Sequence, residues 1–280
     1  MKNFFSLEEY KVLFYRLFLA YFFYFLARLL FVVYNNKLLK VDSVADFFSL
    51  QYHGMAFDTT AILYTNGLFI LLSIFPFWIN TKKGYQRVLK YVYFIFNFIA
   101  YSANFVDFIY YKYIYSRTTI AVLDVLEHET NKGNMFFRFM VSYWHVYLLF
   151  FVLAALWIYL YKLVRVDYKK PEKPVTYFIS SVIGVLVITT LAIGGIRGDF
   201  KKSTRPLNLV DANRYVTLAQ HADVVLNTPF SIMRTIGKTS FKKIDLVDES
   251  VIESNFHPYI QSHAGAQGLM QVMTGIHSKR

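Results

Sequence analysis

The sequence contains no cysteine, which excludes disulfide bonds and cysteine-bound metal sites in this chain of 280 residues. This absence leaves the redox compartment undetermined. Acidic residues are also scarce, 18 against 30 lysines and arginines, and in a soluble protein the net charge of +12 would suggest a nucleic acid partner. Here the basic residues collect between apolar runs, where they set membrane topology, so we expect no nucleic acid partner.

Apolar side chains are abundant. Hydrophobic residues make up 56% of the chain, aromatic residues alone 20%, and the mean hydropathy is +0.35. This apolar content is higher than a water-soluble globular protein can accommodate, so most of these side chains must face lipid or other helices. The sequence therefore predicts an all-α membrane protein.

Five apolar runs have the length of about 20 residues that a helix needs to cross hydrocarbon. They cover residues 12–33, 55–79, 89–111, 141–163 and 175–193. No small-residue cleavage site follows the first run, which argues against a signal peptide. The fifth run is the weakest, because Ser180, Ser181 and Gly184 dilute it.

The loops between these runs predict the orientation, since basic residues resist translocation. The loops after spans two and four are basic: Lys82, Lys83 and Arg87, then Lys162, Arg165, Lys169, Lys170 and Lys173. The loops after spans one and three carry acids beside their bases: Lys37, Lys40, Asp42 and Asp46, then Lys112, Arg117, Asp124, Glu127, Glu129, Lys132 and Arg138. We expect a multi-pass protein of the bacterial inner or plasma membrane, with a cytoplasmic N-terminus and an extracytoplasmic C-terminus.

Ionisable residues within the apolar runs are candidate functional groups, because an unpaired charge at membrane depth costs several kcal/mol. Arg28, Asp58 and Asp107 are such residues, and the predicted topology puts the two acids toward the outer leaflet. They either form ion pairs between helices or contact the headgroup of an anionic lipid. The headgroup hypothesis includes Asp58, Asn104, Asp107, Arg117, Arg197 and Arg205.

After the fifth run the composition changes to a glycine-rich, basic segment, residues 194–206. Residues 209–226 then predict one amphipathic helix, and residues 230–236 a second short helix that ends at Gly237. These helices either lie on the membrane surface, where they would receive a soluble domain, or cap the bundle. We therefore divide the chain into a five-helix domain (1–195), an extracytoplasmic linker (196–247) and a polar C-terminal segment (248–280).

The sequence of these features resembles the membrane region of the lipoteichoic acid synthase family over about residues 1–245. Residues 54–58, 104–111, 197–206 and 225–231 carry the resemblance. It implies that five helices precede an extracellular sulfatase-like domain, which moves phosphoglycerol or a related headgroup from a phospholipid. It also implies a threonine nucleophile and a divalent metal, Mn²⁺ or Mg²⁺, in that domain. No nucleophile or metal signature is recognisable in this chain.

Residues 252–273 resemble the start of a soluble lytic transglycosylase domain, through the pair Glu253-Ser254 and the turn at 268–271. This resemblance implies that Glu253 is a catalytic acid acting on peptidoglycan. However, Thr274 stands where that family usually has proline, and about thirty residues cannot hold such an acid in place. Glu253 is otherwise a surface carboxylate. The meeting of two partial resemblances near Asp248 suggests a chimeric or truncated chain.

Together these features predict the membrane-anchor half of a sulfatase-like headgroup transferase, with membrane phospholipid as its partner and no cofactor of its own. A membrane-tethered lytic transglycosylase fragment is the first alternative. A non-catalytic scaffold or transporter is the second, although the sequence has no internal repeat of the kind that transporters show. The oligomeric state is not predicted.

Overall fold

The computed structural model describes residues 7–75, 82–122, 138–164, 174–198 and 205–237, with two short strands further along the chain. These residues contain five long helices: α1 (Leu7–Leu39), α2 (Val44–Ser73), α3 (Lys83–Ile114), α4 (Trp144–Leu163) and α5 (Pro174–Arg197). A 3-10 helix (Leu209–Tyr215) and two short helices, α6 (Ala219–Val225) and α7 (Thr228–Thr235), follow them.

All five long helices have the length and apolar composition to cross a membrane, so the chain is an all-α, multi-pass membrane protein, as predicted. Large apolar side chains face outward, among them Phe18 (63% exposed) and Phe151 (65% exposed). Polar residues such as Asn66 and Asp107 are buried instead. This distribution suits a lipid solvent, in which interhelical hydrogen bonds and close packing hold the helices together.

Aromatic rings form the centre of the bundle. Trp157 of α4 is fully buried and stacks on Phe23 of α1, with ring centroids 4.3 Å apart. Its indole N–H donates to the hydroxyl of Tyr93 on α3 (3.0 Å), and that hydroxyl donates to the carbonyl of Arg16 (2.8 Å). This arrangement satisfies the polar ends of large rings while their faces fill the core.

The second helix begins eleven residues earlier than the apolar run that predicted it. The prediction began the span at Met55, but α2 begins at Val44, where the Ser43 side chain accepts a hydrogen bond from the N–H of Asp46 (3.0 Å). This cap starts the helix on a segment too polar for a hydropathy criterion to include. Consequently Asp58, which is near the start of the predicted span 55–79, lies in the middle of α2.

The residues that weaken the fifth apolar run are packing positions in α5. Ser180 and Ser181 are buried, and a β-carbon on Gly184 would overlap the hydroxyl of Tyr10. Small side chains allow helices to approach closely in a membrane, where no hydrophobic force acts between them. Gly184, one of the residues that dilute the hydropathy of α5, therefore allows close contact between α5 and Tyr10 of α1.

The segment after α5 differs from the single amphipathic helix predicted over 209–226. The structure contains the 3-10 helix, capped by Asn208, and then α6, because Val216 and Leu218 between them are extended (φ −136° and −102°). The second predicted helix is α7, which begins at Thr228 rather than 230, with Asn227 as its N-cap. Both α6 and α7 belong to the same compact unit as the bundle, residues 1–238.

Residues 239–280 form a second unit. Its described part is an antiparallel pair of two-residue strands, Ala266–Gln267 and Val272–Met273. Glu253 and the proposed junction near Asp248 lie outside the described residues.

Candidate functional site

Two buried ion pairs lie between the middle of the bundle and the end where α1 finishes and α2 begins, and we call this part of the bundle the docking end. The first joins Arg28 of α1 to Asp58 of α2: the two terminal guanidinium nitrogens donate to the two carboxylate oxygens, each at 2.6 Å. Their side chains are 2% and 3% exposed. A two-pronged pair of this kind fixes orientation as well as charge, which suits arginine rather than lysine.

Gly54 allows this pair to form. A β-carbon at Gly54 would lie 2.6 Å from Cζ of Arg28, so the guanidinium occupies the space that a side chain would need. The guanidinium also donates to the Gln51 side chain (3.0 Å) and to the carbonyl of Gly54 (3.4 Å). A glycine one turn before Asp58 therefore allows the arginine of α1 to lie against the backbone of α2.

The second pair joins Asp107 of α3 to Arg117, in the segment that follows that helix (3.3 Å). Asp107 is fully buried and also accepts hydrogen bonds from the backbone N–H (3.0 Å) and hydroxyl of Thr118. The guanidinium of Arg117 lies over the ring of Phe31, 3.6 Å from its centroid. Although its position in the sequence is that of a loop charge, Arg117 is 4% exposed and belongs to the interior.

Residues 223–231, which we call the docked segment, contact both ion pairs. The Asn227 side chain donates to Asp58 (2.8 Å), and the carbonyl of Val225 accepts from Arg28 (3.1 Å). The Thr228 hydroxyl donates to Asp107 (2.5 Å), and the Thr228 N–H donates to the side chain of Asn104 on α3 (3.2 Å). Charged groups of α1, α2 and α3 thus bind one segment lying more than a hundred residues further along the chain.

Apolar contacts complete the docking. Phe230 is 1% exposed and packs edge-on against Phe57 of α2, with centroids 5.1 Å apart. Val224 and Val225 are fully buried, so α6 faces the bundle with the residues that its amphipathic pattern made apolar. Of the two sequence hypotheses for this region, the packing supports a segment that caps the bundle.

A third acid, Asp223, lies at the edge of the docked segment. Its carboxylate accepts from the hydroxyl of Tyr111 (3.0 Å), and its carbonyl accepts from Nε of Arg117 (2.7 Å). Burial raises the pKa of the Asp223 carboxyl above its ordinary value, and the nearby Arg117 opposes this shift only in part. Asp223 is therefore less completely ionised than a surface aspartate near pH 4 to 5.

No family model, curated protein or solved structure matches this chain. The functional assignment therefore depends on the residues themselves. The structure brings four of the six residues of the headgroup hypothesis together at the docking end, all of them bonded to protein groups: Asp58, Asn104, Asp107 and Arg117.

The other two residues lie apart from this cluster. Arg197 is the last residue of α5 and is half-buried. Arg205 is 66% exposed and pairs with Asp211 (3.1 Å), which also pairs with Arg214 (3.2 Å). Headgroup binding by these arginines remains a prediction.

Sequence reasoning did not identify the partners that the docked segment supplies to the buried acids. Asn227 and Thr228 indicated only the end of a helix before Pro229, although an Asn-Thr-Pro sequence is a typical N-cap. This sequence could have predicted that a helix begins at Thr228 with Asn227 as its N-cap. The second role of Asn227, its bond to Asp58, depends on tertiary packing and had no local signal.

Within the described residues, no group of three or more histidine or acidic side chains is arranged to hold a metal ion. Asp58 and Asp107, the acids closest to such a role, are each bound by an arginine and by donors from the docked segment. These two acids do not fit a Mn²⁺ or Mg²⁺ site, because their oxygens are already occupied by protein donors.

Proposed function

We propose that this chain is the membrane-anchor half of a sulfatase-like lipid headgroup transferase. In this proposal the five helices hold the docked segment at the extracytoplasmic end of the bundle. The observation that carries the proposal is the bonding of that segment to Asp58 and Asp107 by Asn227 and Thr228. The resemblance to the lipoteichoic acid synthase family supplies the reaction class.

The physical reason concerns position. A catalytic domain that acts on a phospholipid must reach a phosphate at a fixed distance from the hydrocarbon, and a misplacement of about 1 Å can cost about a hundredfold in rate. A flexible linker would not fix that distance. A segment bonded to three transmembrane helices does fix its own distance from the hydrocarbon.

The donor phospholipid needs cationic groups outside the cluster that contains the two buried ion pairs. Arg205 has the exposure for this role, and Arg197 ends α5 eight residues before it. Guanidinium groups bind phosphate through two parallel hydrogen bonds, which suits a phosphodiester headgroup. We therefore assign headgroup contact to Arg197 and Arg205, and assign Asp58, Asn104, Asp107 and Arg117 to docking.

One experiment tests both parts with the purified chain in phosphatidylglycerol vesicles containing Mn²⁺. Hydrogen exchange is expected to show the amides of residues 223–231 as protected as those of α2, while the chain by itself releases no headgroup. Rapid exchange of the docked segment in a folded bundle would refute docking. Headgroup release by the chain alone would refute an anchor role, because catalysis would then reside in these residues.

Lipid retention tests the arginine assignment. The double variant Arg197→Ala, Arg205→Ala is expected to bind one phosphatidylglycerol per chain about tenfold more weakly than the natural chain does, since hydrogen bonds to charged groups contribute at least about 1.5 kcal/mol. Arg214→Ala is the matched control, because Arg214 has nearly the same exposure as Arg205 and pairs with the same Asp211. Equal retention in both variants would refute the assignment.

A further inference from the structure

Among the described residues, a third buried guanidinium lies toward the opposite end of the bundle, with no acidic partner there. Arg16 of α1 is 7% exposed, so it is buried to nearly the same extent as Arg28 (3% exposed) and Arg117 (4% exposed). Those two each form an ion pair with a buried aspartate. No carboxylate among the described residues lies within ion-pair distance of Arg16, so its charge is compensated differently.

Aromatic rings surround this charge. The guanidinium lies 4.4 Å from the centroid of Tyr161 on α4 and 5.9 Å from that of Phe69 on α2. Contacts of this kind contribute about 0.5–2 kcal/mol. Removing an arginine from water without an ion partner costs several kcal/mol, so the rings compensate only part of the cost.

Two hydrogen-bond donors at this position lack acceptors. Within the described part of the chain, Nε of Arg16 and the hydroxyl of Tyr161 are both buried and have no hydrogen-bond partner. They belong to side chains in direct contact, since the guanidinium lies over the Tyr161 ring. A guanidinium and a phenol without an acceptor together select an oxygen-rich anion.

The depth of these residues matches a headgroup. Tyr161 is two residues before the end of α4 at Leu163, and Phe69 is four residues before the end of α2 at Ser73. With a rise of about 1.5 Å per residue, both lie within roughly 6 Å of a helix end. Arg16 therefore lies near the boundary between hydrocarbon and phosphate, which a long side chain can reach.

We propose that Arg16 and the Tyr161 hydroxyl bind the phosphate of an anionic phospholipid in the leaflet at the end of the bundle where α1 begins. The basic loops predict that leaflet to be cytoplasmic, so this site is on the side opposite to the docked segment. It goes beyond the proposed transferase role and does not depend on it. A free phosphate group offers the same chemistry, and the test separates the two sources.

Native mass spectrometry of the purified full chain measures the retained lipid, after incubation with phosphatidylglycerol or with phosphatidylcholine. The natural chain is expected to prefer phosphatidylglycerol, whose phosphate carries no compensating ammonium. Arg16→Gln should weaken the binding of one phosphatidylglycerol per chain at least about tenfold, because it removes charge-assisted hydrogen bonds. Tyr161→Phe keeps the ring and should lower retention by a smaller factor.

Arg87→Gln is the matched control, since it removes one exposed positive charge at the same end of the bundle and should leave retention unchanged. Competition by inorganic phosphate would identify a site for soluble phosphate, and its absence would identify the lipid as the source. Equal loss in Arg16→Gln and Arg87→Gln, or no lipid preference in the natural chain, would overturn the proposal. If Arg16→Gln does not fold, Tyr161→Phe decides: unchanged retention in that variant would overturn it.

Discussion

At the scale of single residues, Asp58 shows what a buried ion pair requires. Asp58→Asn leaves the Arg28 charge buried without its counter-ion, at a site where both side chains are at most 3% exposed. We expect a loss of about 3–5 kcal/mol in the free energy of unfolding, because the remaining charge is uncompensated. Denaturation of the chain in detergent micelles measures this loss.

Arg214→Gln is the control for Asp58→Asn, since it breaks an ion pair whose arginine is 65% exposed. Exposed pairs contribute at most about 1 kcal/mol. Similar losses in the two variants would contradict the view that Arg28 depends on Asp58.

Asp223 predicts a dependence on pH. Burial raises its pKa in the folded protein, so the folded state binds this proton more tightly than the unfolded state does. The contribution of Asp223 to stability is therefore greatest at low pH and decreases as the pH rises from about 4 through the folded-state pKa. Asp223→Asn should remove this slope in a series of melting temperatures from about pH 4 to about pH 7.

Asp211 is the comparison, because its pKa shifts in the opposite direction. Burial disfavours its charge, but hydrogen bonds from the Asn208 N–H and Arg205, with the charge of Arg214, lower its pKa overall. The stability that it contributes is present above about pH 4 and lost as the pH falls through the folded-state pKa. Asp211→Asn should therefore be less stable than the natural chain near pH 7, with the difference closing at low pH. Parallel pH profiles for the two variants would contradict the assignment of both shifts.

At the scale of elements, Asn227 joins α7 to α2. Its side-chain oxygen accepts from the N–H of Phe230 (2.8 Å), which caps α7, and its side-chain nitrogen donates to Asp58 (2.8 Å). Asn227→Ala should lose about 1 kcal/mol for the cap and about 1.5–3 kcal/mol for the bond to a charged group. Hydrogen exchange of residues 223–231 and the unfolding free energy measure the two effects.

Asn227→Asp separates the two roles, because aspartate is an equally good cap but places a carboxylate against Asp58. We expect the docked segment to exchange at least as fast as in Asn227→Ala. Asn213→Ala, at an exposed position of the 3-10 helix, should change neither measurement. A stable, protected Asn227→Asp variant would show that the cap alone holds the segment.

The elements differ in how far the sequence predicted them. Apolar runs identified all five long helices, because lipid requires about twenty apolar residues whatever the helices contact. The first turns of α2 were missed, since Ser43 and Asp46 start the helix through a local cap in a polar segment. The spacing of Arg117 and Thr118 after Asp107 allowed a polar cluster of these residues, which the structure contains. The contact of Arg117 with the carbonyl of Asp223 had no local signal, because it depends on tertiary packing.

At the scale of the whole molecule, buried polar contacts occur at several levels along the bundle. The ion pairs occupy the docking end, and Arg16 lies toward the opposite end. Between them, Asn66 of α2 and Asn97 of α3 exchange two amide hydrogen bonds (3.1 and 2.7 Å). Hydrogen bonds between transmembrane helices contribute about 0.6 kcal/mol each, so their main effect is to fix which helix faces meet.

The number of crossings determines which side of the membrane the docking end faces. With five crossings and the cytoplasmic N-terminus that the basic loops predict, the loop between α2 and α3 would be cytoplasmic and the segment after α5 would lie on the other side. Because the chain has no cysteine, single-cysteine variants give an unambiguous label. In intact cells, a membrane-impermeant maleimide should label Leu218→Cys and Asp42→Cys, but label Lys83→Cys only after permeabilisation. All three positions are exposed.

Labelling of Lys83→Cys and Leu218→Cys from the same side would contradict five crossings, because it requires an even number of crossings between the N-terminus and the docked segment. The docked segment would then lie on the cytoplasmic side, where it could not position an extracytoplasmic domain.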